Sequence, residues 1–298
     1  MKLNILIPLD FSELSPLQLK IGEVICRHND VKVTLVHVVP GEVDLLPGDK
    51  ESAVDLSSPL EALNLAATDF AFLLDDNPAE IETLSLTGDP ATEILRASEE
   101  GDYDLIILGT HRHGHAYDFL VGSTSRSLVG KIRVPVILVP KETIGTHACM
   151  RNIVAGVDLG PETVEFAAAS AALAGILDAN IEVFNVFEPI EASMAEEYRP
   201  HPDTRKKDCQ EKLETLKGVA PLPDARFILK AVEGYVIPEL LKEANTLRGG
   251  MVVVGSDNKR TLEDMLIGSI SDRLCEGAIC PIAIIPLGEG RNKSRIVG

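Results

Sequence analysis

Two aspartates end short apolar runs: Asp10 closes NILIPLD and Asp158 closes NIVAGVD. A carboxylate in that position can accept hydrogen bonds from the hydroxyl or amino groups of a small ligand. Each half of the chain also carries a glycine-bearing segment. The first opens at Gly109 and reaches Gly122-Ser123-Thr124-Ser125; the second opens at Gly255-Ser256 and reaches Gly268-Ser269-Ile270-Ser271. Turn N–H groups, hydroxyls and the positive end of a following helix together suit a phosphate. A Gly-Ser pair that only caps a helix accounts for the same residues equally well.

These residues recur because the chain repeats itself. GTHRHGHAYDFLVGSTSRSLVGKIRVPVILVP, from Gly109, aligns without a gap on GSDNKRTLEDMLIGSISDRLCEGAICPIAIIP, from Gly255. The same 146 positions separate Gly109 from Gly255 and Pro135 from Pro281. A fixed offset over so long a stretch marks a tandem duplication. The length of 298 residues suits two such domains, 1–147 and 148–298, joined through the polar stretch 141–151.

Each half alternates strands and helices. Apolar runs at 4–10, 31–39, 81–86, 105–108 and 134–139 read as buried strands, as do 152–158, 181–187, 225–229, 251–254 and 279–285. Helices are expected after Ser12 or Ser15 with Pro16, after Gly160-Pro161, and over 60–74, 91–99, 204–216 and 236–246. Pro40 and Pro189 stop the second strand of each half, and the stretches 41–59 and 188–202 read as lids or surface loops. This pattern predicts an α/β fold with two doubly wound, five-stranded parallel sheets of order 3-2-1-4-5, Rossmann-like, joined by right-handed crossovers. Ligands then bind beyond the strand carboxyl ends where the order reverses. That rule brings Asp10 to the Gly109 turn and Asp158 to the Gly255 turn.

A net charge of −18 disfavours broad contact with nucleic acid or an anionic membrane, because a like-charged surface repels both. MKLNILIPLDF is too soon interrupted to serve as a secretory signal and no run reaches membrane-spanning length, so a cytoplasmic protein is expected. The five cysteines form no C-x-x-C pair and read as reduced thiols.

On these residues the sequence resembles the universal stress protein family in its tandem form. The match rests on the first strand ending in Asp10 with Ser12 after it, the LVHVV strand with His37, and the turn with its downstream Gly-Ser and PVILVP strand. The family's ATP-binding motif is G-x2-G-x9-G-[S/T]. Arg112 and Asn258 stand where its second glycine belongs, and glycine there eases the approach of a phosphate. Gly114 matches a further glycine of ATP-binding members, with Arg260 in its place in the second half.

The resemblance implies an adenine nucleotide (ATP, ADP or AMP), with Mg2+ accompanying it, bound chiefly by the first domain. Pro8, Leu9, Val38 and Val39 would flank the base and Asp10 would meet the base or ribose. Gly109, Thr110, Arg112, Gly114, Gly122, Ser123, Thr124 and Ser125 would meet the phosphates. The weaker counterparts are Asp158, Gly255, Ser256, Gly268, Ser269 and Ser271. It further implies a regulatory or sensing role in stress response, and fifth strands that pair within the chain or with a second copy.

Other chemistry is less well supported. His111, His113 and His115 suggest a metal, but no cysteine or carboxylate nearby completes a ligand set. His37 has no sequence partner for catalysis and reads as structural. Ser123 lacks the G-x-S-x-G elbow, and no dedicated base is evident for water attack, so any ATPase is slow. Asp75-Asp76 and Glu99-Glu100 read as solvated helix ends. The alternative is a scaffold or small-ligand-binding stress protein with degenerate glycine turns.

Overall fold

The computed structural model describes residues 2–41, 58–75, 79–110, 128, 131–140, 143, 150–189, 202–218, 226–247, 250–257, 274, 278–288 and 296. The chain divides into two compact units, the first built on Met1–Lys141 and the second on Glu142–Glu289.

The first unit runs β1 (Leu3–Pro8), α1 (Ser15–His28), β2 (Val31–Val39), α2 (Pro59–Leu73), β3 (Glu80–Thr87), α3 (Pro90–Glu100), β4 (Leu105–Thr110) and β5 (Val136–Pro140). The second runs β6 (Asn152–Val157), α4 (Thr163–Ile176), β7 (Asn180–Phe187), α5 (Pro202–Glu214), β8 (Phe227–Glu233), α6 (Val236–Thr246), β9 (Met251–Asp257) and β10 (Ile282–Leu287). The strands follow the order β3-β2-β1-β4-β5 in one unit and β8-β7-β6-β9-β10 in the other, as the alternation predicts. All described pairings within each unit are parallel.

Central strands such as β1 are buried on both faces, which is why they read as unbroken aliphatic runs. β3, at the end of its sheet, alternates exposed and half-buried residues instead. The order reverses after β3, so right-handed crossovers set α3 on the face opposite α1 and α2. Gly22, in the middle of α1, allows close helix packing: a Cβ there would lie 2.9 Å from Ile7 Cδ1 and 3.3 Å from Phe70 Cζ.

The elements depart from expectation mainly at their ends. Pro16 sits in the first turn of α1, but the N-cap is Leu14, whose N–H donates to Ser12 Oγ across 3.2 Å. Pro161 lies before α4 rather than within it, and that helix opens at Thr163 with Glu162 as N-cap. β8 begins two residues later than expected and runs on to Glu233. Asp75, Glu99 and Glu100 are exposed at or just beyond helix ends. Cys26 and Cys280 are buried and form no disulfide, and burial pushes the Cys26 thiol up to about 12.

Candidate ligand cleft at the strand carboxyl ends

In the first unit, β1 and β4 pair at Ile5–Leu105 and Leu6–Ile106 and then part. Pro8 has no N–H to continue a ladder. The Gln18 amide of α1 fills the gap, donating to Pro8 O at 2.6 Å and to Ile107 O at 3.1 Å, and it is buried. Gly109 lies beside it on β4. A Cβ there would sit 3.0 Å from Gln18 Oε1 and 3.2 Å from Leu14 Cβ, so glycine is what lets α1 close on this strand.

Asp10 emerges exposed beyond β1. Its Oδ1 accepts from the Ser12 N–H at 3.0 Å and the Ser15 hydroxyl at 3.3 Å. Phe11, between them, has φ of 59°, in the left-handed region that bulky residues avoid. Such a conformation costs energy and persists only where its surroundings over-determine it. Here the Phe11 ring lies 4.6 Å from that of His37, centroid to centroid. His37 Nδ1 is 2.7 Å from Leu9 O; the carbonyl can only accept, so Nδ1 carries the proton. His37 is thus held between the Leu9 carbonyl and the Phe11 ring. The Thr110 hydroxyl is buried and donates to Val139 O at 3.3 Å. Pro8, Leu9 and Val38 are buried and Val39 half-buried around the same strand ends.

The second unit repeats the aspartate turn. Asp158 is exposed, its Oδ1 accepts from the Gly160 N–H at 2.8 Å, and Leu159 has φ of 59°. Its strands stay paired longer, at four positions from Ile153–Met251 to Gly156–Val254. Beyond them lies a cleft of about 480 Å³. Asp158 and Gly255 both line it, so the structure brings these two sequence candidates together.

Sequence reading missed the other walls: Thr163 and Phe166 from α4, Phe184 from β7, Leu240 from α6 and Leu287 from β10. The signal available was the helical spacing of Thr163 with Phe166 and of Val236 with Leu240, which reads as ordinary core. Thr163 is 8% exposed, and its Oγ1 has no hydrogen-bond partner. Beside the cleft, Lys230 stands 2.6 Å from Glu243 and 3.5 Å from Glu182, and its ammonium lies 5.3 Å from the Phe184 ring centroid. Burial and then the Glu243 charge hold the Glu182 carboxyl above its ordinary value, against the pull of Lys230.

Arg112, Gly114, Gly122, Ser123, Thr124 and Ser125 lie outside the described residues, as do His111, His113, His115, Asn258, Arg260, Gly268, Ser269 and Ser271. Among the described residues no group of three or more His, Cys, Asp or Glu is arranged to hold a metal ion, and no helix is long and apolar enough to cross a membrane.

The family model described as "Universal stress protein family" matches residues 1–140 and again 150–286. The chain belongs to the universal stress protein family. The Universal stress protein A homolog of Haemophilus influenzae is 31% identical over 141 residues, which is 46% of this chain and 95% of that protein. A universal stress protein of Mycolicibacterium smegmatis is 24% identical over 270 residues, 86% of this chain and 88% of that one. The crystal structure of a universal stress protein from Archaeoglobus fulgidus superposes with a TM-score of 0.66 at 16% identity, covering 96% of this chain and 97% of the other. That last likeness shows the universal stress protein fold, and the double family match shows its tandem arrangement.

Proposed function

We propose that this universal stress protein binds an adenine nucleotide at the strand carboxyl ends, chiefly in its first unit, and acts as a cytoplasmic sensor or regulator in a stress response. The observation that carries the reading is Asp10: an exposed carboxylate at the reversal of strand order, held in place by Ser12, Ser15 and a left-handed Phe11. Ligands of open parallel sheets bind at that place. A base or ribose offers the donors that such a carboxylate accepts. Pro8, Leu9, Val38 and Val39 would flank the base. Arg112, Gly114, Gly122, Ser123, Thr124 and Ser125 would hold its phosphates, and Mg2+ would enter with them. Ser256, Gly268, Ser269 and Ser271 would do the same, less well, beside Asp158 and Gly255.

A second reading, a small-ligand protein whose glycine turns have diverged from the ATP motif, is favoured by one observation: the apolar cleft of the second unit. Equilibrium binding on full-length protein stripped of carried-over ligand separates the two. ATP, ADP or AMP should bind with Kd below about 1 mM, and Asp10→Ala should weaken binding about tenfold through loss of a charged acceptor. If none binds in that range and Gly122→Val changes nothing, the nucleotide reading is wrong.

A further inference from the structure

The first unit's sheet ends at β3, whose eight residues contain no proline or glycine. Just past its end, the Gly88 N–H donates to Val39 O of β2 at 3.0 Å. Backbone direction alternates along a strand, so Ile81, Thr83, Ser85 and Thr87 turn their N–H groups away from β2, toward the outer edge. Such a row is a template for another strand. Charge ordinarily guards an edge of this kind, and here it is neutralised within the unit: Glu80 pairs with Lys2 at 2.6 Å and Glu82 with Lys32 at 2.7 Å.

The helix α2 runs along the same edge. Thr83 Oγ1 donates to Asn64 Oδ1 at 3.0 Å, which puts Asn64 on the side of the helix that overlooks β3. Leu60, Ala67 and Ala71 share that side at helical spacing. Leu60 is 49% exposed, Asn64 and Ala71 are exposed, and no residue of this row is charged. In the second unit Gln210 takes the place of Asn64, donating to Leu229 O of β8 at 3.3 Å. There Lys206 and Lys217 stand, exposed, where the first unit has Leu60 and Ala71. A second copy laid along that edge would bring like charges into one seam, so β8 is guarded where β3 is not.

We propose that β3 and α2 form an interface with a second copy of this chain: the two β3 strands pair antiparallel about a two-fold axis at Thr83, and the two α2 helices pack side by side above them. With that axis perpendicular to the sheet, Glu82 falls opposite the partner's Leu84 and Glu80 opposite the partner's Leu86, so no carboxylate faces another. The helix α2 packs on both β2 and β3, about half a strand spacing inside the edge. One further spacing of about 4.8 Å to the added strand sets the two helices roughly 10 Å apart, a distance at which helices pack. Leu60 fills the seam between them, and Ala67 and Ala71 leave room for it. Two strands and two helix flanks cover on the order of 1,200 Å² in all, which reaches the size of a specific interface. This surface is separate from the fifth strands and does not rest on the nucleotide reading.

Sedimentation equilibrium on the full-length, ligand-stripped protein tests this. The chain should dimerise with Kd below about 100 μM. Ser85→Pro removes an outward N–H without touching the bonds to β2, and Leu60→Lys puts a charge into the seam. Each should weaken the dimer at least about tenfold. Should Ser85→Pro misfold, Leu60→Lys, at a half-exposed position, carries the test. Phe72→Ser alters an 87% exposed side chain on the solvent side of the same helix and should leave the dimer intact. A protein that stays monomeric, its edge covered by another part of the chain, would overturn the proposal. So would a dimer that survives both Ser85→Pro and Leu60→Lys, or one that Phe72→Ser breaks.

Discussion

The two units part company where the first strand of each meets the fourth. In the first unit Pro8 interrupts the ladder, and the Gln18 amide satisfies the two carbonyls left facing each other. In the second, Gly156 keeps its N–H, the ladder runs two pairs further, and Phe166 takes the place of the glutamine. A polar bridge joins β1 to β4 in one unit; an aromatic ring walls the cleft of the other. Duplication preserved the strand order and the aspartate turn, with its left-handed residue, while the chemistry behind that turn diverged.

The largest effect that would test this contrast is Phe166→Ala. Phe166 is 3% exposed, and truncation to alanine should cost the second unit about 3–5 kcal/mol by cavity formation. Gln18→Ala should cost the first unit about 2 kcal/mol, since two buried carbonyls lose their donor. Hydrogen exchange followed separately on β1 and β4 and on β6 and β9 measures each loss in its own unit. A Gln18→Ala protein with unchanged exchange would show that the bridge contributes nothing.

A smaller contrast lies on the second strand of each unit, where buried Thr34 in β2 corresponds to buried Glu182 in β7. Because the folded state holds the Glu182 carboxyl above 4.5, it binds that proton more tightly than the unfolded chain does. The penalty is therefore fully present above the raised value and is relieved as pH falls through it toward 4.5. Glu182→Thr should remove this dependence and stabilise the second unit at neutral pH by about 1 kcal/mol, Lys230 keeping its Glu243 partner. Urea midpoints of wild type and variant between neutral pH and about pH 5 should converge; parallel curves would refute the assignment.

The smallest contrast is at a helix start. Asp89 caps α3, accepting from the Thr92 N–H at 2.9 Å, whereas Tyr235, the N-cap of α6, makes no side-chain cap although its backbone is equally extended. Asp89→Ala should lose about 0.5–1 kcal/mol and Tyr235→Asp should gain a similar amount, read as opposite shifts in Tm. A neutral Tyr235→Asp would mean that the two helix starts are not interchangeable.

Much of this architecture was legible beforehand, for a local reason. A strand buried on both faces must be a continuous apolar run, and a helix packed on a sheet must repeat every three to four residues, so β2 and α6 could be placed residue for residue. Proline and glycine marked the ends less well. Pro161 precedes its helix by two residues, because φ near that of a helix suits the approach to a helix as well as its first turn. Asp158 and Gly255 could be matched through the strand-order rule, which needs only topology. Thr163, Phe166, Leu240 and Leu287 could not, because in sequence they are ordinary core positions on three separate elements.

By itself, then, the sequence determined the duplication, the alternation of strands and helices, and the aspartate that follows the first strand of each unit. These follow from composition and period along the chain. The tertiary structure alone decided which hydroxyl the aspartate engages, how far the central strands remain paired, and that four distant apolar side chains enclose a cleft. Each of those depends on distances between elements, and the identity of a residue does not specify what packing brings within reach of it.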